Sequence, residues 1–316
     1  MEKIVQICLG VLMVLSASWG QTEPLGSARQ PEVKIGRIER LDNFPSRFVE
    51  PRPIDVWLPG DYSAAKRYAV LYMQDGEGLF DAKQTWNQQA WNVHLALSKL
   101  VKDGKVQDTI VVGIPNGGKY RYSEYFPEKY LALAPLDVRS DYVNRAQWGK
   151  PLADAYLRFL VEELKPAIDQ RYATRREPEG TFVMGSSMGG MISIYALCEY
   201  PEVFGGAAGL STHWVGRPSS WGALERLQNA SLPLAAMRYL QGHLPKANTR
   251  RLYMDHGTVG LDAIYGVHQK LVDEIAGEMG YDAGHWQSSV FEGAGHTETD
   301  WAARVDIPLV FLLGNP

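Results

Sequence analysis

Glycine, serine, histidine and aspartate are the residues of this chain whose types and spacing could do chemistry. Gly185-Ser186-Ser187-Met188-Gly189-Gly190 places Ser187 between glycines two residues away on either side, a G-x-S-x-G pattern. It follows the apolar run Thr181 to Met184 and precedes the helical stretch Met191 to Tyr200. A serine on a sharp strand-to-helix turn is held up from the backbone, and the free N–H groups of the helix start favour negative charge beside it. Ser186 is the adjacent alternative but lacks the symmetric glycines. The chemistry would be nucleophilic attack by the Ser187 hydroxyl, with the Met188 N–H as one donor to the developing oxyanion.

Such a hydroxyl needs a base, and after a nucleophile of this kind the order along the chain is serine, acid, histidine. Of the seven histidines, His285 and His296 lie near the C-terminus. His296 follows the last strand in Phe291-Glu-Gly-Ala-Gly-His296, a loop that can carry an imidazole over the serine, whereas His285 precedes that strand. The acid is expected after the preceding strand, where Asp255-His256-Gly257-Thr258-Val259-Gly260-Leu261-Asp262 offers two carboxylates. Asp262 is favoured because it has room to turn toward the histidine; Asp255 remains the alternative. A second oxyanion donor is expected from Gln74-Asp75-Gly76-Glu77-Gly78-Leu79-Phe80 and assigned to the Glu77 backbone N–H, Gly76 allowing the close approach. Arg121 and Glu124 are expected to pair and brace a loop.

These residues require a scaffold. Short, nearly continuous apolar runs occur at Tyr68 to Met73, Thr109 to Ile114, Thr181 to Met184 and Gly205 to Leu210, the pattern of strands covered on both faces. Helical periodicity separates them, most clearly over Pro151 to Ile168. The alternation continues with strand Arg251 to Met254, helix Leu261 to Met279, strand Trp286 to Phe291 and helix Thr297 to Leu313. Val33 onward and Arg52 to Leu58 read as antiparallel opening strands. The expectation is an α/β-hydrolase fold, with a mostly parallel central sheet and helices on both faces. Residues 214–246, rich in Trp, Pro, Ser and Leu, are expected to form a small cap-like insertion.

The chain has 316 residues, 45% hydrophobic and 22% charged, enough for one large catalytic domain. A net charge of −4 gives no field that would gather nucleic acid or an anionic membrane. No H-E-x-x-H or C-x-x-C cluster occurs, so neither metal nor cofactor is expected. Residues 1–20 have the architecture of a signal peptide, with an apolar run shorter than the ~18 residues a bilayer span needs. Export to a periplasm or the extracellular space follows, with no stable membrane anchor and residues 21–316 as the mature domain. Cys8 would leave with the signal, and Cys198 then has no disulfide partner. Nothing in the sequence indicates an oligomeric state. Asn229-Ala230-Ser231 matches a glycosylation sequon that would matter in a eukaryotic secretory pathway.

Several motifs together resemble the esterase family that includes esterase D, enterochelin esterase and feruloyl or acetylxylan esterase domains. Tyr72 to Phe80 is similar to its oxyanion segment, Arg121-Tyr-Ser-Glu-Tyr-Phe-Pro127 to its R-x-x-E-Y-x-P stretch, and Gly185 to Gly190 to its serine elbow. Asp255 to Asp262 and Gly293-Ala-Gly-His-Thr-Glu298 resemble its acid and histidine loops. In some members the acid follows the Gly-Thr pair sooner, where this chain has Val259 and Gly260, and some relatives work with serine and histidine alone. The resemblance implies hydrolysis of a small, carbohydrate, phenolic or siderophore-type ester. Trp86, Trp91, Tyr125, Trp214, Trp221 and Trp301 are candidates for stacking on such a substrate or for the core. Acyl transfer to an acceptor other than water, peptide cleavage, and non-catalytic binding of a siderophore or glycan are the competing readings.

Overall fold

The computed structural model describes residues 29–218, 220–222 and 229–314. The signal-peptide segment expected at residues 1–20 lies outside the described residues. Eight strands form one sheet: β1 (Arg37–Phe44), β2 (Arg52–Leu58), β3 (Ala69–Gln74), β4 (Thr109–Ile114), β5 (Thr181–Ser186), β6 (Gly206–Leu210), β7 (Arg251–Gly257) and β8 (Trp286–Phe291). Their order is β1-β2-β4-β3-β5-β6-β7-β8. β1 and β2 run antiparallel to their neighbours, and β4 through β8 are joined by parallel pairings. This is the α/β-hydrolase fold.

Strand alternation divides the interior into two cores. Val70 and Tyr72 point into one cluster, whereas Ala69, Leu71 and Met73 point into the other, all of them essentially buried. The first core is shared with helices Met188–Glu199, Leu232–His243 and Gly266–Glu278; the second with helices Val93–Lys102 and Asp306–Leu313. A strand covered on both sides has no polar face to display, which is why these runs are continuously apolar.

Two helices depart locally from the sequence pattern. The helical run expected over Pro151 to Ile168 spans Ala153 to Arg171 and widens into a π-helical stretch at Phe159–Leu164. The helix expected over Thr297 to Leu313 breaks into Glu298–Ala302 and Asp306–Leu313, with Pro308 in the first turn of the second, where a missing N–H costs nothing. Residues 214–246, expected as a cap, include residues outside the described set at 219 and 223–228. Their described helical part, Leu232–His243, buries Leu232, Ala236 and Leu240 in the first core, the position of a crossover helix between β6 and β7.

The sheet's register sets the site. Ser186 is opposite Leu210, and Leu210 is opposite Asp255. β5 and β6 therefore end level, and their next residues, Ser187 and Ser211, emerge at the same edge, while β7 runs two residues further, to Gly257.

Candidate active site

Ser187 takes φ 56° and ψ −123°, a backbone conformation few non-glycine residues adopt. The turn is held by its neighbours. The Ser187 N–H donates to Leu210 O at 2.9 Å, and its carbonyl accepts from the N–H groups of Met191 and His213. Close approach explains the glycines: a Cβ on Gly185 would lie 2.6 Å from the Gly189 backbone, and one on Gly190 would lie 2.9 Å from Gly209 Cα. Met188 begins the helix, so its N–H is one of the donors a helix start leaves unused.

The histidine and acid loops are laced together beyond β7 and β8. The N–H groups of Thr258 and Val259 both donate to Ala294 O, at 3.0 and 3.2 Å. This brings His296 Nδ1 to 2.6 Å from Asp262 Oδ1. Asp262 is fully buried and also accepts from the Ser211 hydroxyl at 2.5 Å and the Gly257 N–H at 2.7 Å. Burial works against its charge, but the donors from His296, Ser211 and Gly257 outweigh it and hold the carboxyl below its ordinary range. Asp255 lies elsewhere. It accepts from Arg304 Nε and Nη2 at 3.1 and 3.0 Å and from Tyr253 Oη at 3.0 Å, and burial pushes its carboxyl up despite the arginine.

Two aromatic rings hold the His296 imidazole edge-to-face, Trp301 at 5.0 Å and Tyr265 at 5.8 Å between centroids. The Tyr265 hydroxyl also meets His213 Nδ1 at 2.5 Å. His213 Nε2 faces the Arg217 carbonyl at 2.8 Å, which can only accept, so Nε2 carries the proton and Nδ1 accepts from Tyr265. Burial pushes the His213 imidazole down to about 3, and it stays neutral beside the site.

The Asp75–Phe80 loop forms the opposite wall. Gly76 to Gly78 make a single 3₁₀ turn in which the N–H groups of Gly78 and Leu79 are consumed by the Asp75 and Gly76 carbonyls. A Cβ on Gly76 would lie 2.4 Å from Ile114 N, so the turn packs directly on the end of β4. The Glu77 N–H lies against the residue's own carboxylate, which also accepts from the Asn116 side chain and the Asn116 N–H. Burial, with the Asp75 charge adding to it, pushes the Glu77 carboxyl up to about 7. Arg121 does not pair with Glu124 as expected. It clasps Asp75 through Nε and Nη2, both at 2.7 Å, while Glu124 is taken by Arg52 of β2 in a fully buried two-pronged pair. Each acid has a geometrically matched guanidinium from another element, and a planar fork satisfied on two oxygens outcompetes a neighbour on the same short helix.

Of the candidate stacking aromatics, Trp91, Tyr125, Trp214, Trp221 and Trp301 are core residues, whereas Trp86 is 94% exposed. Its loop is tied to the histidine loop, Asn87 Nδ2 donating to Glu298 at 2.6 Å and Gln89 Oε1 accepting from the Thr299 N–H at 3.3 Å. The sequence reading missed Ser211, His213 and Tyr265. Serine after a strand and histidine in a loop are common, and what distinguishes these is a meeting of β6, β7 and their loops that linear spacing does not reveal. Among the described residues no group of three or more His, Cys, Asp or Glu could hold a metal ion, and no helix is long and apolar enough to cross a membrane.

The family profile described as "Putative esterase" matches residues 46–307. An uncharacterized protein of Bacillus subtilis is 26% identical over 173 residues, 54% of this chain and 60% of the relative. An endo-1,4-beta-xylanase/feruloyl esterase of Xylanibacter ruminicola is 26% identical over 186 residues, 56% of this chain and 22% of the relative. The chain thus spans less than two thirds of the length of these curated relatives. Among solved structures, the ferulic acid esterase of Anaeromyces mucronatus in complex with ferulic acid superposes with a TM-score of 0.59 at 18% identity, covering 90% of this chain and 95% of that one. The enterobactin esterase of Shigella flexneri superposes in the presence of enterobactin with a TM-score of 0.59 at 15% identity, covering 90% and 60%. These likenesses are of fold. The profile covers most of the chain, including the elbow, both carboxylate-bearing loops and His296, and on that ground the chain belongs to the esterase family it describes.

Proposed function

We propose that the protein is a serine carboxylic ester hydrolase in which Ser187 is the nucleophile, His296 the general base and Asp262 the acid that orients it. The observation that carries this reading is the 2.6 Å contact between His296 Nδ1 and Asp262 Oδ1, at the sheet edge where Ser187 stands in a strained elbow. In the first step Ser187 Oγ attacks the ester carbonyl while His296 Nε2 takes its proton, and Asp262 stabilises the imidazolium. The Met188 N–H receives the oxyanion, joined by the Glu77 N–H once it leaves its own carboxylate. Collapse of the tetrahedral intermediate expels the alcohol, which takes the proton from His296. Water activated by the same imidazole then attacks the acyl-enzyme, releasing the acid and regenerating Ser187.

The substrate class in this proposal is an aryl or carbohydrate-linked ester. It draws on the names of the structural relatives, ferulic acid esterase and enterobactin esterase, and on the exposed indole of Trp86 on a loop joined to the histidine loop. Export, expected from residues 1–20, is part of the same proposal.

The test is hydrolysis of aryl, feruloyl and acetyl-sugar esters by the wild type beside Ser187→Ala and His296→Ala. Turnover lost in both variants supports the assignment. Turnover surviving Ser187→Ala removes it. Ester products formed with added alcohols in preference to free acid would move the protein to the acyltransferases.

A further inference from the structure

Ser211 is the first residue beyond β6 and, at φ 46°, another non-glycine residue in the left-handed region. Its fully buried hydroxyl has three polar neighbours. Trp301 Nε1 lies at 2.9 Å, Arg304 Nη2 at 3.0 Å and Asp262 Oδ2 at 2.5 Å. A serine hydroxyl has one proton and two acceptor sites, whereas an indole N–H and a guanidinium can only donate. Both acceptor sites are therefore filled by Trp301 and Arg304, and the single proton is left for Asp262.

The consequence runs toward the reacting atoms. Asp262 receives the Ser211 hydroxyl and the Gly257 N–H on Oδ2 and His296 Nδ1 on Oδ1, so every neighbour is a donor and none requires it to be protonated. With Oδ2 saturated, Oδ1 is the oxygen available to the imidazole. Trp301 serves twice, holding the Ser211 hydroxyl through its N–H and the His296 ring edge-to-face. Arg304 is kept in place by Asp255, the rival carboxylate, through two contacts near 3 Å. Asp255 thus acts as the counter-ion of the arginine that locks the Ser211 hydroxyl, and its Oδ1 also accepts from the Ser211 N–H at 3.1 Å.

We propose that Ser211 is a positioning residue for the acid: its hydroxyl, polarised by Trp301 and Arg304, fixes the carboxylate of Asp262 so that one defined oxygen meets His296. The proposal rests on the serine hydrolase reading above and adds a residue outside the Ser187, His296 and Asp262 set.

Full-length Ser211→Ala and Ser211→Gly test it, the glycine variant relieving the left-handed backbone so that loss of the hydroxyl is separated from strain. Three properties are measured: kcat and KM on a small aryl acetate, the rate of labelling by a fluorophosphonate, and the downfield proton resonance of the His296 Nδ1–H. Hydrogen-bond partners that orient metal-bound histidines and carboxylates are worth about 10–100-fold, and on that scale both variants should lose about as much in kcat, with KM changed by less than about two-fold. Labelling should slow in parallel, and the downfield resonance should shift or broaden. The proposal is overturned if both variants keep wild-type kcat and resonance, or if kcat falls only in proportion to folded protein with the resonance unmoved. Ser187→Ala run alongside separates the two failures: if it too retains turnover, the hydrolase assignment itself has failed.

Discussion

Asp262 and Asp255 lie seven positions apart in the sequence, and only Asp262 touches His296, its Oδ1 standing 2.6 Å from Nδ1; Asp255 faces Arg304 instead. Two carboxylates that looked interchangeable in the chain thus have different work, one orienting an imidazole and the other neutralising a buried guanidinium.

That division predicts opposite mutant phenotypes. Asp262→Asn keeps the fold but presents the wrong hydrogen-bonding partner to His296, and kcat should fall on the order of 10³ to 10⁴-fold. Asp255→Asn leaves Arg304 without its counter-ion in a buried site, and unfolding free energy should drop by about 3–5 kcal/mol. Thermal melts and steady-state kinetics on the two variants check this, the first showing lost turnover at near-normal Tm and the second a lowered Tm.

Acid should destabilise the protein through its buried histidines. Burial pushes His94 down to about 4, with Lys34 adding to it, and His213 down to about 3, against an ordinary value of 6.5 in the unfolded chain. Between pH 6.5 and the folded values the unfolded state binds more protons, so stability rises with pH in that window and is lost as pH falls through it. Urea unfolding at intervals from pH 7 to 4 should show this slope, and His94→Gln should reduce it.

Glu77 contributes with the opposite sign. Its carboxyl is pushed up to about 7 from an ordinary 4.5 by burial and by Asp75, opposed by Arg121, with the uncharged Asn116 side chain donating to it. The folded state therefore holds the extra proton between pH 4.5 and about 7, and this contribution to stability is present below 4.5 and is lost as pH rises through about 7. Glu77→Gln, which keeps the backbone N–H, should flatten that loss, making its stability advantage over wild type larger at pH 8 than at pH 5.

Much of this scaffold could be read from the chain, for reasons visible at particular residues. β4 was bounded correctly because its continuous apolar run ends in turn-forming sequence, and the elbow was placed because Gly185, Gly189 and Gly190 are required by backbone contacts. The short helices Arg121–Tyr125, Glu128–Ala132 and Leu136–Arg145 were not foreseen. Each is held by tertiary partners such as Arg52 on Glu124, and the longest of them has few buried positions to create a periodic signal. The choice between Asp262 and Asp255 depended on which loop Ala294 O gathers, a contact between segments more than thirty residues apart.

Trp86 should affect substrate choice without affecting stability. An indole 94% exposed contributes little to the fold, so Trp86→Ala should change unfolding free energy by less than about 0.5 kcal/mol. On an aryl or sugar-linked ester KM should rise several-fold, roughly the ~0.5–1.5 kcal/mol of an aromatic contact. KM for a small acetate ester should not move. Parallel kinetics on the two substrates make the comparison.

The central claim is that Ser187 is an activated nucleophile. Its most direct measurement is labelling of the intact protein with a fluorophosphonate, followed by mass spectrometric location of the adduct. One adduct on the peptide carrying Ser187 is expected, with no labelling of Ser187→Ala and strongly slowed labelling of His296→Ala. An unlabelled wild type, or an adduct on a different serine, would contradict it.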